Sequence, residues 1–136
     1  MLNTILSDLA ANTQLDALAV LANNGYLRIY DGDQPVTADT DIDTQVLLAE
    51  LRLNATAFNA SVAGVITAKA IADCASAAHT GVASWFRILK SDGSTKLWDG
   101  SAGTATANLI LNSVNIQTGA RVSISAFTHT LPKQGA

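Results

Sequence analysis

Apolar and polar positions alternate along most of this chain, and the segment before Gly25 is where that alternation gives way to a longer period. Leu15, Leu18, Leu21 and Ala22 recur at helical spacing, and Asn23-Asn24-Gly25 supplies a stop signal. Asn12-Thr13 with Asp16 reads as the start of that helix, an N-cap followed by an acid in the first turn. A separate turn or short helix over Thr4 to Ala10 would put Ile5, Leu6 and Leu9 on one side. After Gly25 the period is two. Leu27 and Ile29 oppose Tyr26, Arg28 and Tyr30. In VLLAELRLN, Leu47, Ala49, Leu51 and Leu53 oppose Glu50, Arg52 and Asn54. Val82, Ser84, Phe86 and Ile88 oppose Ala83, Trp85, Arg87 and Leu89, which predicts a strand covered on both faces at the centre of the core. Further strands are expected at Lys96 to Trp98, Asn108 to Leu111, Val114 to Ile116 and Arg121 to Thr130. The apolar phase of the last flips between Ile124 and Phe127, so a bulge is expected near Ala126.

Between these runs stand Asp31-Gly32, Asp92-Gly93, Asp99-Gly100 and Thr118-Gly119. Asp-Gly after a strand is turn chemistry, because Gly accepts positive φ and Asp bonds its own backbone. One phrase occurs twice: GYLRIYDG at Gly25 to Gly32 and ASWFRILKSDG at Ala83 to Gly93, with a shorter echo in KLWDG. Each copy reads as a strand with an aromatic entrance, an outward Arg (Arg28, Arg87) and a turn at its exit. A structural recurrence explains that better than a duplicated ligand site does, since every feature has a local cause. The predicted fold is mainly β, an antiparallel sandwich or jelly-roll-like barrel with one or two short N-terminal helices. Residues 1–24 form a helical arm and residues 25–136 the β-sandwich domain. The first part of the arm, Met1 to Asn12, is expected to reach a neighbouring subunit.

Composition changes this picture in one respect. Charged residues are 14% of the 136 and hydrophobic residues 49%, against about 25% charged in an average soluble domain. A surface of Ala, Thr and Ser has little desolvation cost when covered, so it suits contact with other subunits. The net charge of −3 speaks against nucleic acid as the partner. No apolar run reaches the ~20 residues of a membrane span. MLNTILSDLAAN has no basic start and carries Asp8, so it does not read as a signal peptide, and synthesis in a cytoplasm is expected. Cys74 has no second cysteine and reads as a small core hydrophobe.

Candidate chemistry is sparse. Asp39, Asp41 and Asp43 take positions one, three and five of a calcium loop and Glu50 position twelve. Thr44, however, stands where the loop needs Gly, and Glu50 belongs to a strand that would hold it ~20 Å from Asp43. An acidic, solvated loop is the expected state. His79 and His129 are the two histidines, too few and too separated to announce a zinc site; both read as structural. DGSAG around Ser101 lacks nucleophile-elbow spacing, and Gly100 with Gly103 lacks the Lys-Ser or Lys-Thr of a phosphate loop. No catalytic, cofactor-binding or metal residue is expected, and the chain does not read as an enzyme.

Taken in order, GYLRIYDG, LLAELRLNATAF, ASWFRILKSDGST, WDGSAG and NLILNSVNIQTGARVSISAFTHTLP resemble a group of small phage and prophage proteins encoded among virion structural genes. The resemblance runs from Gly25 to Pro132. It implies a virion component, most readily a capsid decoration (cement) protein that stabilises the head shell. The implied partners are the major capsid protein and other virion subunits, with a homotrimer matching the three-fold positions of a capsid. Alternatives are a head–tail or tail component, or a small β-sandwich that binds carbohydrate through Tyr26, Tyr30, Trp85 and Trp98. Neither nucleic acid nor membrane is implied, and no cofactor.

Overall fold

The structure is a computed structural model that describes residues 3–131. Met1, Leu2 and Pro132 to Ala136, which belong to the expected arm and to the end of the β domain, lie outside the described residues.

Among the described residues one helix, α1 (Asp8–Leu21), takes the place of the one or two expected. Its N-cap is Ser7, whose hydroxyl accepts from the Ala10 amide at 3.1 Å. Asn12 and Asp16, expected to start a helix, lie inside it and cap something else. Asn12 Oδ1 accepts from the Gly64 amide at 2.9 Å and Asp16 Oδ1 from the Ser61 amide at 3.0 Å. The helix buries Ala11, Leu15 and Ala19, so its inner side packs on the β domain while Leu9 on its outer side stays 77% exposed. It ends as expected, with Asn24 in the left-handed region at φ 57°.

Nine strands follow among the described residues. They are β1 (Tyr26–Tyr30), β2 (Leu47–Arg52), β3 (Val65–Thr67), β4 (Gly81–Val82), β5 (Trp85–Leu89), β6 (Lys96–Gly103), β7 (Leu109–Leu111), β8 (Asn115–Ile116) and β9 (Ile124–Thr130). Seven form one curled sheet in the order β2-β1-β5-β6-β7-β9-β3, while β4 and β8 pair separately. The fold is mainly β, as expected. The sheet is mixed, because β7 runs parallel to β6 (Ala102 opposite Leu109, Gly103 opposite Ile110). A single run of chain ties its two edges together. After β2 it turns through Leu53 and reaches Ala57 to Asn59, which bond along the outer side of β3's hairpin through Asn59 N to Thr67 O and Lys69 N to Ala57 O.

The inward face of the sheet holds Leu27, Ile29, Phe86, Ile88, Trp98 and Phe127. Phe86 meets Phe127 edge-on with centroids 5.1 Å apart, and Phe58 closes on Phe127 at 5.6 Å. Asp99-Gly100 is not a turn as expected but mid-strand in β6. Gly100 is needed there for closeness: a Cβ would meet the Phe86 ring at 2.6 Å. Asp92-Gly93 is the turn it promised to be, with Gly93 at φ 73° and Asp92 accepting from the Ser94 and Thr95 amides. Three bulges adjust the phase. Leu48 is the extra residue between the Ile29–Ala49 and Tyr30–Leu47 pairs, and it turns inward to full burial. Leu97 is extra in β6. Ser125 is extra in β9, next to the position predicted from the flip at Ala126.

Val82 departs from expectation. It is 57% exposed in the small sheet and does not share the inward face of Phe86.

Candidate functional site

The two copies of the repeated phrase are neighbours. β1 and β5 pair antiparallel, with Tyr26 opposite Leu89, Arg28 opposite Arg87 and Tyr30 opposite Trp85. The phrases therefore meet at their arginines, on the face of the sheet away from the aromatic core. Two like charges directly opposite each other are unfavourable. The flanking strands supply the compensation: Glu50 of β2 lies opposite Arg28, and Asp99 of β6 opposite Arg87. Glu50, Arg28, Arg87 and Asp99 thus form a four-strand row of charges, negative outside and positive within.

The two ends of the row differ in burial. Arg28 Nε donates to Glu50 at 2.7 Å, with side chains 28% and 39% exposed. Arg87 donates from Nε and Nη2 to both Asp99 oxygens at 2.7 and 2.9 Å, with exposures of 2% and 4%. The bidentate hydrogen bond to Asp99 raises the Arg87 pKa above its ordinary value, against the opposing effect of burial. At Arg28 burial opposes and the Glu50 contacts win, again raising it. Arg87 takes the outer position expected for it, opposite Arg28, and is buried there because the chain between β1 and β2 returns over this face. Asp41 from that segment pairs with Lys96 of β6 at 2.7 Å, and its pKa is lowered first by that hydrogen bond.

Aromatic rings fill the rest of the face. Tyr30 stacks on Trp85 at 4.7 Å, and Arg87 lies over the Trp85 ring at 5.4 Å. The Trp85 indole donates to the Asp31 carbonyl at 3.0 Å, and Ser84 Oγ donates to the Gly32 carbonyl at 2.6 Å. At the rim, Arg52 covers the Tyr26 ring at 4.4 Å and donates to its hydroxyl. Chemically this is a clamp that ties four strands and a long loop. Each of its guanidinium groups already has an acceptor.

The other residues that the sequence singles out do not converge. Asp41 is held by Lys96 and Glu50 by Arg28, while the Asp43 amide donates to Gln45 Oε1. Among the described residues no group of three or more His, Cys, Asp or Glu side chains is positioned to hold a metal ion. His79 Nδ1 lies 2.9 Å from the Leu47 carbonyl. His129 stacks on Trp98 at 4.7 Å, where burial lowers its pKa. The Trp98 indole N–H is buried without an acceptor among the described residues. Cys74 is half-buried against the core. A groove of about 110 Å³ separates Ala68–Ile71 from Ile124–Phe127, with Lys69 on its lining. No helix among the described residues is long and apolar enough to cross a membrane.

Asp99 is the residue of the clamp that the sequence concealed. Its Asp-Gly signature reads as a turn, and a regular hairpin about Asp92-Gly93 would place Arg87 opposite Trp98. The bulge at Leu97 moves the register by one and brings Asp99 into line.

Comparison with protein-family models, with curated proteins and with solved structures finds no match to this chain.

Proposed function

We propose that the chain is a structural subunit of a tailed-phage particle, most readily a capsid decoration protein that acts through protein–protein contacts. The reading starts from the resemblance of its ordered segments to small virion proteins. The observation that carries it into the fold is the outer side of α1. Leu9 and Val20 are 77% and 66% exposed, and their separation of eleven positions is about three turns at ~3.6 residues per turn, so they share a side. Ile5, just before the helix, is a further large apolar side chain open to solvent, 67% exposed. Large apolar side chains left open on one side of a helix are candidates for cover by a partner. Few charges elsewhere on the chain point in the same direction.

A carbohydrate-binding module needs accessible rings. Of its four named aromatics, Tyr30, Trp85 and Trp98 are buried and Tyr26 is covered by Arg52, which favours the structural reading. The test is to purify particles from a strain that carries the gene and identify their proteins by mass spectrometry. The purified protein is then added to shells that lack it. Leu9→Lys with Val20→Lys is expected to leave the fold intact, by circular dichroism, and to abolish attachment. Absence of the protein from purified particles would overturn the proposal.

A further inference from the structure

The seven-stranded sheet has two edges, and they are treated differently. β3 is covered on its outer side by Ala57 to Asn59. β2 is bonded on its outer side near its start, where the Leu48 carbonyl accepts from the Ala78 amide, and just beyond its end the Asn54 side-chain amide donates to the Ala70 carbonyl at 3.4 Å. The Leu53 amide bonds inward to Gly25, and Leu51 and Ala49 pair inward with Leu27 and Ile29. By alternation, the backbone groups of Glu50 and Arg52 therefore point outward, on the same side as the occupied Leu48 carbonyl. Among the described residues no backbone hydrogen bond reaches them from that side.

We propose that this free edge pairs with the same edge of a second copy, antiparallel about a two-fold axis at Leu51. The occupant follows from the charges. A two-fold axis at Leu51 sets Glu50 opposite Arg52 of the second copy and Arg52 opposite its Glu50. Both positions have outward backbone groups, so each becomes a hydrogen-bonded pair that exchanges two N–H to O=C bonds. A strand edge that carries one acid and one base two positions apart is complementary to itself in this register. A shift by one residue would bring outward groups against inward ones. Isologous contacts of this kind make closed dimers, and the joined sheet would run continuously through both copies. Glu50 keeps its bond to Arg28 and Arg52 its stack on Tyr26, since both lie on the face of the sheet and not along its edge. The resulting symmetry is two-fold where the resemblance implies three-fold.

Sedimentation of the intact chain from micromolar to several hundred micromolar is expected to show a monomer passing to a dimer. The amides of Glu50 and Arg52 are expected to exchange with solvent at least tenfold more slowly at the high concentration than at the low one, because only pairing protects them. Arg52→Pro removes an amide that serves no bond within the chain, as edge positions allow, and Arg52→Glu sets two acids opposite each other. Both are expected to remain folded and monomeric. A chain that stays monomeric throughout, or forms a trimer, overturns the proposal. So does fast exchange of both amides at every concentration, or a dimer that either folded variant leaves unchanged. If Arg52→Pro does not fold, Arg52→Glu and the exchange measurement decide.

Discussion

Replacing Asp99 by Ala removes one half of the buried pair and leaves the Arg87 guanidinium, 2% exposed, with two N–H groups aimed at nothing. Desolvating a charge is costly unless a partner compensates, and deletion of one partner from a buried pair costs about 3–5 kcal/mol. The exposed end of the same row provides the control. Glu50→Ala breaks a pair whose side chains keep 28% and 39% exposure, where water and salt reduce the value to about 1 kcal/mol or less. With ~2.1 cal/mol/K per residue of unfolding entropy, the Asp99 loss lowers Tm by about 10–17 °C for a chain of this length. Urea titration followed by Trp fluorescence gives the free energy, and thermal circular dichroism the Tm. A third variant isolates the cause: Arg87→Met with Asp99→Leu removes both charges and is expected to recover most of the loss. The reasoning is refuted if Asp99→Ala costs less than about 1 kcal/mol, or if the double variant is no more stable than the single one.

Phe86 lies 1% exposed against Phe127 and Gly100, so Phe86→Ala is expected to cost about 3–5 kcal/mol in the same urea assay; a loss under about 1 kcal/mol would contradict its central place. Asp92 is held well below the usual carboxylate range, first by the Thr95 hydroxyl and then by the Thr95 and Ser94 amides. A depressed folded pKa stabilises above the unfolded value of ~3.9 and loses that stabilisation as pH falls. The Tm difference between the wild type and Asp92→Asn should therefore be full near neutrality and shrink below about pH 4. Calcium and chelator are both expected to leave Tm unchanged, because Asp41 and Glu50 are engaged by Lys96 and Arg28; a calcium-dependent rise would show binding to the native state.

Alternation along the chain was enough to assign the inward faces of β1 and β5, the bulge in β9 and the turn at Asp92-Gly93. Those are local matters: a side chain's face depends on its own parity, and a turn on its own φ. The end of α1 was legible for the same reason, through Asn24. Its beginning was not, because Asn12 and Asp16 spend their acceptors on Gly64 and Ser61, which lie far along the chain. β3 had no counterpart among the expected strands, being three residues long and defined by its partners. The charge row depended wholly on tertiary structure. Parity placed Arg28 and Arg87 on one side of their strands, but adjacency of β1 to β5, with β2 and β6 outside them, is a fact of strand order. The bulge at Leu97 then chose Asp99 as the partner, and the returning loop buried the pair. Two arginines face to face are tolerable only once a carboxylate flanks each of them, and contacts that distant in sequence leave no period to read.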